Sequence, residues 1–504
     1  MPQILTAAEA VSRIPNGSTV AVGGVVGSAH PEAVTHAIEK SFLAHGAPRD
    51  LWLVYGAGQG DGKSRGLNHF GHKGLVRRAM GGHWNLAPRL GRLALANEIE
   101  AYNFPQGVIC ELLREIAAKR PGMFTHVGLG TFIDPDFMGG RLNARTTEPM
   151  VEKVKIHGRD WLHYKSFPIH VGLIRGTRAD RYGNLAMDRE SVIGDVLPIA
   201  QAARNHGGIV IAQVEEIVEH IADPKSVRVP GILVDYIVKA DPSEHMQTFA
   251  EAFNEHYIRH TQEHPSIALM PLDERKVIAR RALMEIEGGD VVNLGIGMPE
   301  GVASVAFEEK RFSDFCLTVE TGPIGGVPAG GLSFGCSSNP EAIMDQPSQF
   351  DFYDGGGLDI AMLGAAQIDA QGNVNVASFA GRYAGVGGFV NISQNAKRIV
   401  FCTSLRSGGL EVAFRNGHIA IEKEGQHAKF IPKVEYICFS AANAHRSGQK
   451  VLYATERAVF QLTPEGVELI EVAPGINIQT QVLDQMEFKP IVKSPKPMGS
   501  HLFR

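Results

Sequence analysis

The sequence predicts an α/β protein built from two homologous open α/β domains with the active site at their junction, and three observations predict it. The chain has 504 residues, more than the roughly 250 to 300 that a single hydrophobic core sustains. Short apolar strand runs alternate with helix-length patterned segments, the signature of largely parallel sheets. The same order of elements also occurs twice.

The first copy opens with Thr6-Ala-Ala-Glu9, a capping box ahead of a helix, followed by the turn Pro15-Asn16-Gly17 and the buried-strand run 18–22, which ends in Gly23-Gly24. In the second copy a helix starts at Asp273, turns at Gly288-Gly289, and leads through the strand run 290–294 into Gly295-Ile-Gly297. The next helix repeats as well, since Pro31-Glu32-Ala33-Val34 answers Pro299-Glu300-Gly301-Val302. Deeper in each copy Asp180-x-x-Gly183-Asn184 matches Asp369-x-x-Gly372-Asn373, a pattern suited to a tight turn because Asp and Asn tolerate turn backbone angles and Gly adopts positive φ. An apolar strand then follows each, at 208–212 and at 398–402. Between the copies, 241–271 is polar, proline-bounded and expected to be helical in its middle. The division is placed there, giving domains 1–270 and 271–504.

Composition narrows the function. A hydrophobic content of 44% and a charged content of 20% describe a folded globular chain. Forty-nine Lys and Arg against 54 Asp and Glu leave a formal charge of -5, which gives no general attraction to nucleic acid or an anionic membrane. Five dispersed cysteines without a CxxC pair argue against a disulfide framework or a zinc site. The first residues lack the layout of a signal peptide, and no apolar run approaches the roughly 18 residues of a spanning helix, so a reducing cytoplasm is the expected address.

The 57 glycines are more than the ~7% of an average chain and fall in clusters at predicted strand ends, where open α/β sheets bind ligands. Gly295-Ile-Gly297 taken alone is a weak dinucleotide signal, because the next glycine, Gly301, comes one residue late. Glu320, 23 residues past Gly297, stands where a ribose-binding acid would stand, so a nicotinamide-dependent oxidoreductase is one reading. Against it, Glu320 is followed by Thr321-Gly322-Pro-Ile-Gly325-Gly326, and a second glycine cluster extends to Gly335. A carboxylate at a strand tip among residues with almost no side chains suits close approach of backbone and ligand. A non-catalytic acyl-CoA or sugar-phosphate sensor is a third reading.

Taken together, Gly23-Gly24, Phe104-Pro-Gln106-Gly107, Gly295-Ile-Gly297-Met-Pro299, Val319-Glu320-Thr-Gly322-Pro-Ile-Gly325-Gly326 and Gly385-Val-Gly387-Gly388-Phe-Val-Asn391 resemble the family I coenzyme A transferases, in particular the fused acetate, propionate and 3-oxoacid types. The resemblance runs over essentially the whole chain. It implies that Glu320 is the nucleophile, that the Gly388 N–H and the Gln106 amide are oxyanion donors, and that Gly387, Gly295, Gly297, Gly325 and Gly326 line the substrate and CoA site. Thr321 stands where many relatives carry Asn or Ser. CoA is then a substrate and a covalent intermediate, with no tightly bound cofactor and no metal. The implied substrates are a short-chain acyl-CoA and a short carboxylate, and the implied assembly is a homodimer or homotetramer.

Other signals are read as structure. His256, His260 and His264 recur every four residues and would share one helical face, expected to be solvated. His69, His72 and His83 lack zinc spacing and are read as loop or core histidines. Gly56-x-Gly58-x-Gly60-x-Gly62 has no Lys-Ser/Thr to complete a phosphate loop and is read as a tight loop near the cleft. Lys397-Arg398 is expected to be a solvated pair, and Lys489 to Lys496 a mobile or surface-wrapping tail.

Overall fold

A computed structural model describes residues 1–261, 267 and 269–504. The chain forms two compact units. Unit 1 contains Met1–His264 together with Val319–Asp351 and Ala380–Asn391, and unit 2 contains Pro265–Thr318, Phe352–Phe379 and Ile392–Arg504.

Unit 1 is organised on the strands β1 (Gln3–Leu5), β2 (Thr19–Val22), β3 (Leu51–Tyr55), β4 (Val76–Gly81), β5 (Glu100–Asn103), β6 (Val171–Asp180), β7 (Ile209–Val218) and β8 (Tyr236–Lys239). They lie in the order β1-β8-β7-β6-β2-β3-β4-β5, every pairing parallel. Val20, Leu53, Leu173 and Ile211 are fully buried in this sheet, which explains why these strands read as continuous apolar runs. The helix α1 (Ala7–Val11) begins with the capping box the sequence announces: the Glu9 N–H donates to Thr6 Oγ1 at 3.2 Å and the Thr6 N–H to Glu9 Oε2 at 2.8 Å. The helices α2 (Glu32–His45), α3 (Gln106–Ala117) and α4 (Val196–Asn205) follow β2, follow β5 and precede β7. A small antiparallel sheet joins Gly122–Thr125, Arg159–Lys165 and Val151–Ile156.

In unit 2 the strands are β9 (Val291–Leu294), β10 (Cys316–Thr318), β11 (Ile360–Gly364), β12 (Arg398–Cys402), β13 (Lys450–Ala454), β14 (Ala458–Thr463), β15 (Gly466–Val472) and β16 (Ile491–Pro497). They run β10-β9-β11-β12-β13-β14-β15-β16, parallel as far as β13. The helices α5 (Glu274–Leu283) and α6 (Gly301–Glu308) pack on this sheet through Ile278, Ala282, Val302 and Val305, against Leu294, Met362 and Val400. Each such fully buried Val, Leu or Ile side chain contributes about 1.5–3 kcal/mol.

The duplication is visible strand by strand. The order β3-β2-β6-β7-β8 of unit 1 recurs as β10-β9-β11-β12-β13. The Asp-x-x-Gly-Asn turns match bond for bond. Asp180 Oδ1 accepts from the Asn184 N–H at 3.0 Å and Asp180 Oδ2 from Asn184 Nδ2 at 2.9 Å; for Asp369 and Asn373 the distances are 2.9 and 3.1 Å. Gly183 and Gly372 have φ of 87° and 89°. Each Asn then ties its turn to a distant loop, Asn184 Oδ1 accepting from the Gly231 N–H at 3.0 Å and Asn373 Oδ1 from the Ala441 N–H at 2.9 Å.

Three expectations are corrected. Among the described residues of 241–271 the helical elements are two 3-10 turns, at Pro242–Glu244 and Glu255–Tyr257, so His256 and His260 share no helical face, and His264 lies outside the described residues. Asn254 accepts from the His256 N–H at 3.0 Å and so starts a turn there. Residues 491–497 are not a loose tail but an edge strand paired parallel to β15, a position that tolerates the prolines Pro495 and Pro497. Of the Lys397-Arg398 pair, Lys397 is solvated as expected, its Nζ 2.7 Å from Asp359, but Arg398 is not: it is half-buried and its Nη2 donates to both Asp290 oxygens at 2.6 and 2.7 Å. Among the described residues no helix is long and apolar enough to cross a membrane.

Candidate active site

Glu320 lies two residues beyond the end of β10, in a reverse turn closed from both sides. The Gly322 N–H donates to the Val319 carbonyl at 3.0 Å, and the Val319 N–H donates to the Pro323 carbonyl at 2.9 Å. Only glycine fits at 322, where φ is 127° and a Cβ would collide with the Met344 carbonyl oxygen. Thr321 is fully buried and its hydroxyl donates to the Gly335 carbonyl, which fixes the residue next to Glu320. Glu320 itself is buried, with 9% of its surface exposed. Gly325 and Gly326, both with φ of 72°, turn the chain into the antiparallel pair Val327–Pro328 and Ser337–Ser338.

The same unit carries Gln106, Gly387 and Gly388. Gln106 is the first residue of α3, placed there because Pro105 ends the extended run from β5 with φ of -59° and ψ of 141°. Its N–H donates to the Gly387 carbonyl at 2.8 Å, and the Gly387 N–H donates to the Gly82 carbonyl at 2.8 Å. Asn103, fully buried at the end of β5, holds this frame: Nδ2 donates to the Gly81 and Gly82 carbonyls at 2.8 and 2.6 Å, and Oδ1 accepts from the Val386 N–H at 3.1 Å. Gly387 has φ of 52°, and a Cβ there would stand 3.7 Å from Gln106 Oε1. Gly388 immediately precedes the helix α7 (Phe389–Asn395). Among the described residues no side chain or carbonyl accepts from the Gly388 N–H, and none engages the Gln106 side-chain amide. Both groups are therefore without a protein acceptor among the described residues of the unit.

Contacts within unit 1 connect the two parts. A Cβ on Gly335 would lie 3.0 Å from Val25 Cγ1 and 3.2 Å from Thr321 Cγ2, so the loop after β2 packs on the glutamate turn. The Val26 N–H donates to the Gly58 carbonyl at 2.7 Å, which brings in the loop after β3. Gly58 in turn packs on His83, and His83 pairs through its backbone with Gly385. The loop 56–62 thus joins the Glu320 turn to the Gly387 frame. Gly295 and Gly297 belong to unit 2, where the Gly295 N–H continues the β9–β11 pairing by donating to the Met362 carbonyl at 2.8 Å, and Gly297, with φ of 89°, starts a 3-10 turn.

The histidines divide. His69 donates from Nε2 to Glu32 at 2.9 Å and from Nδ1 to Glu39 at 2.5 Å, an arrangement that needs both ring protons. Burial opposes its charge, but the Glu32 and Glu39 carboxylates outweigh it and hold its pKa above the ordinary value. His72 binds the other Glu39 oxygen at 2.5 Å. These two are ion-pair partners of α2. His83 lies in the loop after a strand end, beside Gly81-Gly82, in keeping with its reading as a loop or core histidine.

The chain resembles known proteins over its whole length. Residues 4–240 match the family model described as coenzyme A transferase. The chain is 43% identical to caffeate CoA-transferase of Acetobacterium woodii, over 100% of this chain and 98% of that protein. It is 42% identical to acetate CoA-transferase YdiF of Escherichia coli K12, over 99% of this chain and 95% of that protein. The crystal structure of the acyl-CoA transferase YdiF of E. coli O157:H7, a thioester complex with CoA, matches with a TM-score of 0.94 at 40% identity, covering 100% of this chain and 96% of that one.

Proposed function

The chain belongs to the coenzyme A transferase family, and from that premise we propose that it moves CoA between a short-chain acyl-CoA and a free carboxylate, with Glu320 as nucleophile and Gln106 and Gly388 as oxyanion donors. The observation that carries this reading is the pairing of a buried carboxylate on a rigid turn with two unspent donors in the same compact unit.

The chemistry needs no separate base, since a glutamate with a reference pKa of ~4.3 is ionised near pH 7. Its carboxylate attacks the acyl-CoA carbonyl, and the C–S bond breaks to leave an acyl-glutamyl anhydride and CoA thiolate. The thiolate attacks the glutamyl carbonyl, which releases the first carboxylate and leaves a glutamyl-CoA thioester. An incoming carboxylate reverses the two steps. Each tetrahedral intermediate carries its charge on an oxygen, and a preorganised donor is worth about 3–4 kcal/mol there. Burial of Glu320 serves a second purpose, because water reaching the thioester would turn transfer into hydrolysis.

The relatives named for caffeate and for acetate bracket a wide range of acyl size. The resemblance to the acetate, propionate and 3-oxoacid types makes acetate, propionate, butyrate and acetoacetate the substrates to test first. The test is incubation with acetyl-CoA alone, borohydride reduction of the thioester to the alcohol, and location of the change by peptide mass. The reading predicts reduction at Glu320 and none in Glu320→Ala. Modification of a cysteine or serine instead would overturn it.

A further inference from the structure

We propose that His83 touches the acyl group, donating a hydrogen bond from its imidazole to the oxygen of the bound acyl-CoA carbonyl or carboxylate. The proposal rests on the CoA-transferase reading above and adds a residue to it.

His83 follows the end of β4 and is locked on both sides by the frame that carries the oxyanion donors. The Gly387 N–H donates to the Gly82 carbonyl at 2.8 Å and the Trp84 N–H to the Ala384 carbonyl at 2.7 Å, while His83 itself bridges to Gly385. Its Cβ lies 3.7 Å from where a Cβ on Gly387 would stand, the same separation as Gln106 Oε1. The side chains of His83 and Gln106 therefore both start or end within contact distance of one glycine, His83 by its Cβ and Gln106 by its Oε1. The opposite side of the ring rests on Gly58, where a Cβ would come within 2.6 Å of Nδ1. That contact gives the glycine-rich loop 56–62 a role that phosphate binding does not supply.

Two further facts separate His83 from a packing residue. It is half-buried, and among the described residues none hydrogen-bonds its ring, although His30, His69 and His72 in the same unit all have partners. Burial also pushes its pKa down to about 4 with no carboxylate opposing the effect. The ring is neutral at working pH. A neutral imidazole N–H polarises an oxygen without surrendering its proton to the CoA thiolate or to Glu320, as an imidazolium would. This suits a reaction that must keep both nucleophiles ionised.

The experiment compares the wild-type enzyme with His83→Ala, His83→Gln and His83→Asn, using acetyl-CoA with acetate or propionate. For His83→Ala, kcat/KM for the carboxylate should fall by about tenfold to a hundredfold, the range of a hydrogen bond to a charged group. One of the two amide variants, which place an N–H near the position of Nε2 or Nδ1, should recover most of it. On the wild-type protein, diethyl pyrocarbonate should modify His83, and saturating acetate should protect it. A His83→Ala variant within twofold of wild type, equal loss in all three variants, or labelling of His83 indifferent to acetate would overturn the proposal. If the wild-type enzyme forms no thioester at Glu320, it is the functional reading that fails; if the thioester forms and His83→Ala is normal, only the role of His83 fails.

Discussion

The two repeats place a helix at the same topological position, α4 ahead of β7 and α7 ahead of β12, and begin it differently. Before α4 stands Asp195, buried, its Oδ2 3.7 Å from the Cys110 thiol, which also accepts from Gln346 Nε2 at 2.7 Å. Before α7 stands Gly388, without a side chain and with its N–H unspent. One helix start carries a buried carboxyl, and the other has no side chain and an N–H that no described residue accepts from. The turns Asp180–Asn184 and Asp369–Asn373, by contrast, agree bond for bond. Duplication thus supplied a common scaffold, and the difference in chemistry is confined to the loops at the strand ends.

The largest expected effect tests the catalytic side of that contrast. Gln106→Ala removes one donor and should lower kcat about 10²–10³-fold with little change in KM, as for other oxyanion donors, and with an unchanged melting temperature. Asp195→Asn should leave kcat within about threefold, measured in the same assay. A large loss there would show that the first helix start is also catalytic.

The matched turns predict matched costs. Asn184→Ala and Asn373→Ala each orphan a loop N–H and should destabilise the protein by about 1–3 kcal/mol, read from denaturant midpoints. A clear inequality would mean that the two turns support their domains differently.

An effect of comparable size is a pH dependence. Burial, with the Asp345 charge adding to it, pushes the Asp195 carboxyl up to about 7. The native state then holds a proton that the unfolded chain releases near pH ~4, so over that window Asp195 makes stability fall as pH rises. Thermal melts of Asp195→Asn should gain on the wild type between pH 5 and pH 8. A constant difference would contradict the assignment.

Local chemistry was the legible part of the sequence. The Thr6–Glu9 capping box, both Asp-x-x-Gly-Asn turns and the glutamate turn depend on residues within five positions of each other, and each formed as its residues dictate. Long-range placement was harder to read. Nothing near residues 319–351 or 380–391 signals that they pack with residues 1–264, because that choice is made by contacts such as Gln106 to Gly387, 281 positions apart. His83 reads as a loop or core histidine because its spacing lacks a zinc pattern, and its neighbours Gly58 and Gly385 come from loops that the local sequence does not announce. The four-residue spacing of His256 and His260 defines a face only within a helix, and Asn254 starts a turn there instead.

The measurement that bears most directly on the central claim is an oxygen-tracing single turnover, with the Glu320-CoA thioester given ¹⁸O-acetate as acceptor. The carboxylate oxygen that attacks the thioester becomes the bridge of the anhydride, and thiolate attack on the acetyl carbonyl leaves that oxygen on the glutamate. One ¹⁸O per turnover should therefore appear in the peptide carrying Glu320, with one retained in acetyl-CoA. A Glu320 peptide that stays unlabelled while labelled acetyl-CoA is produced would contradict the account.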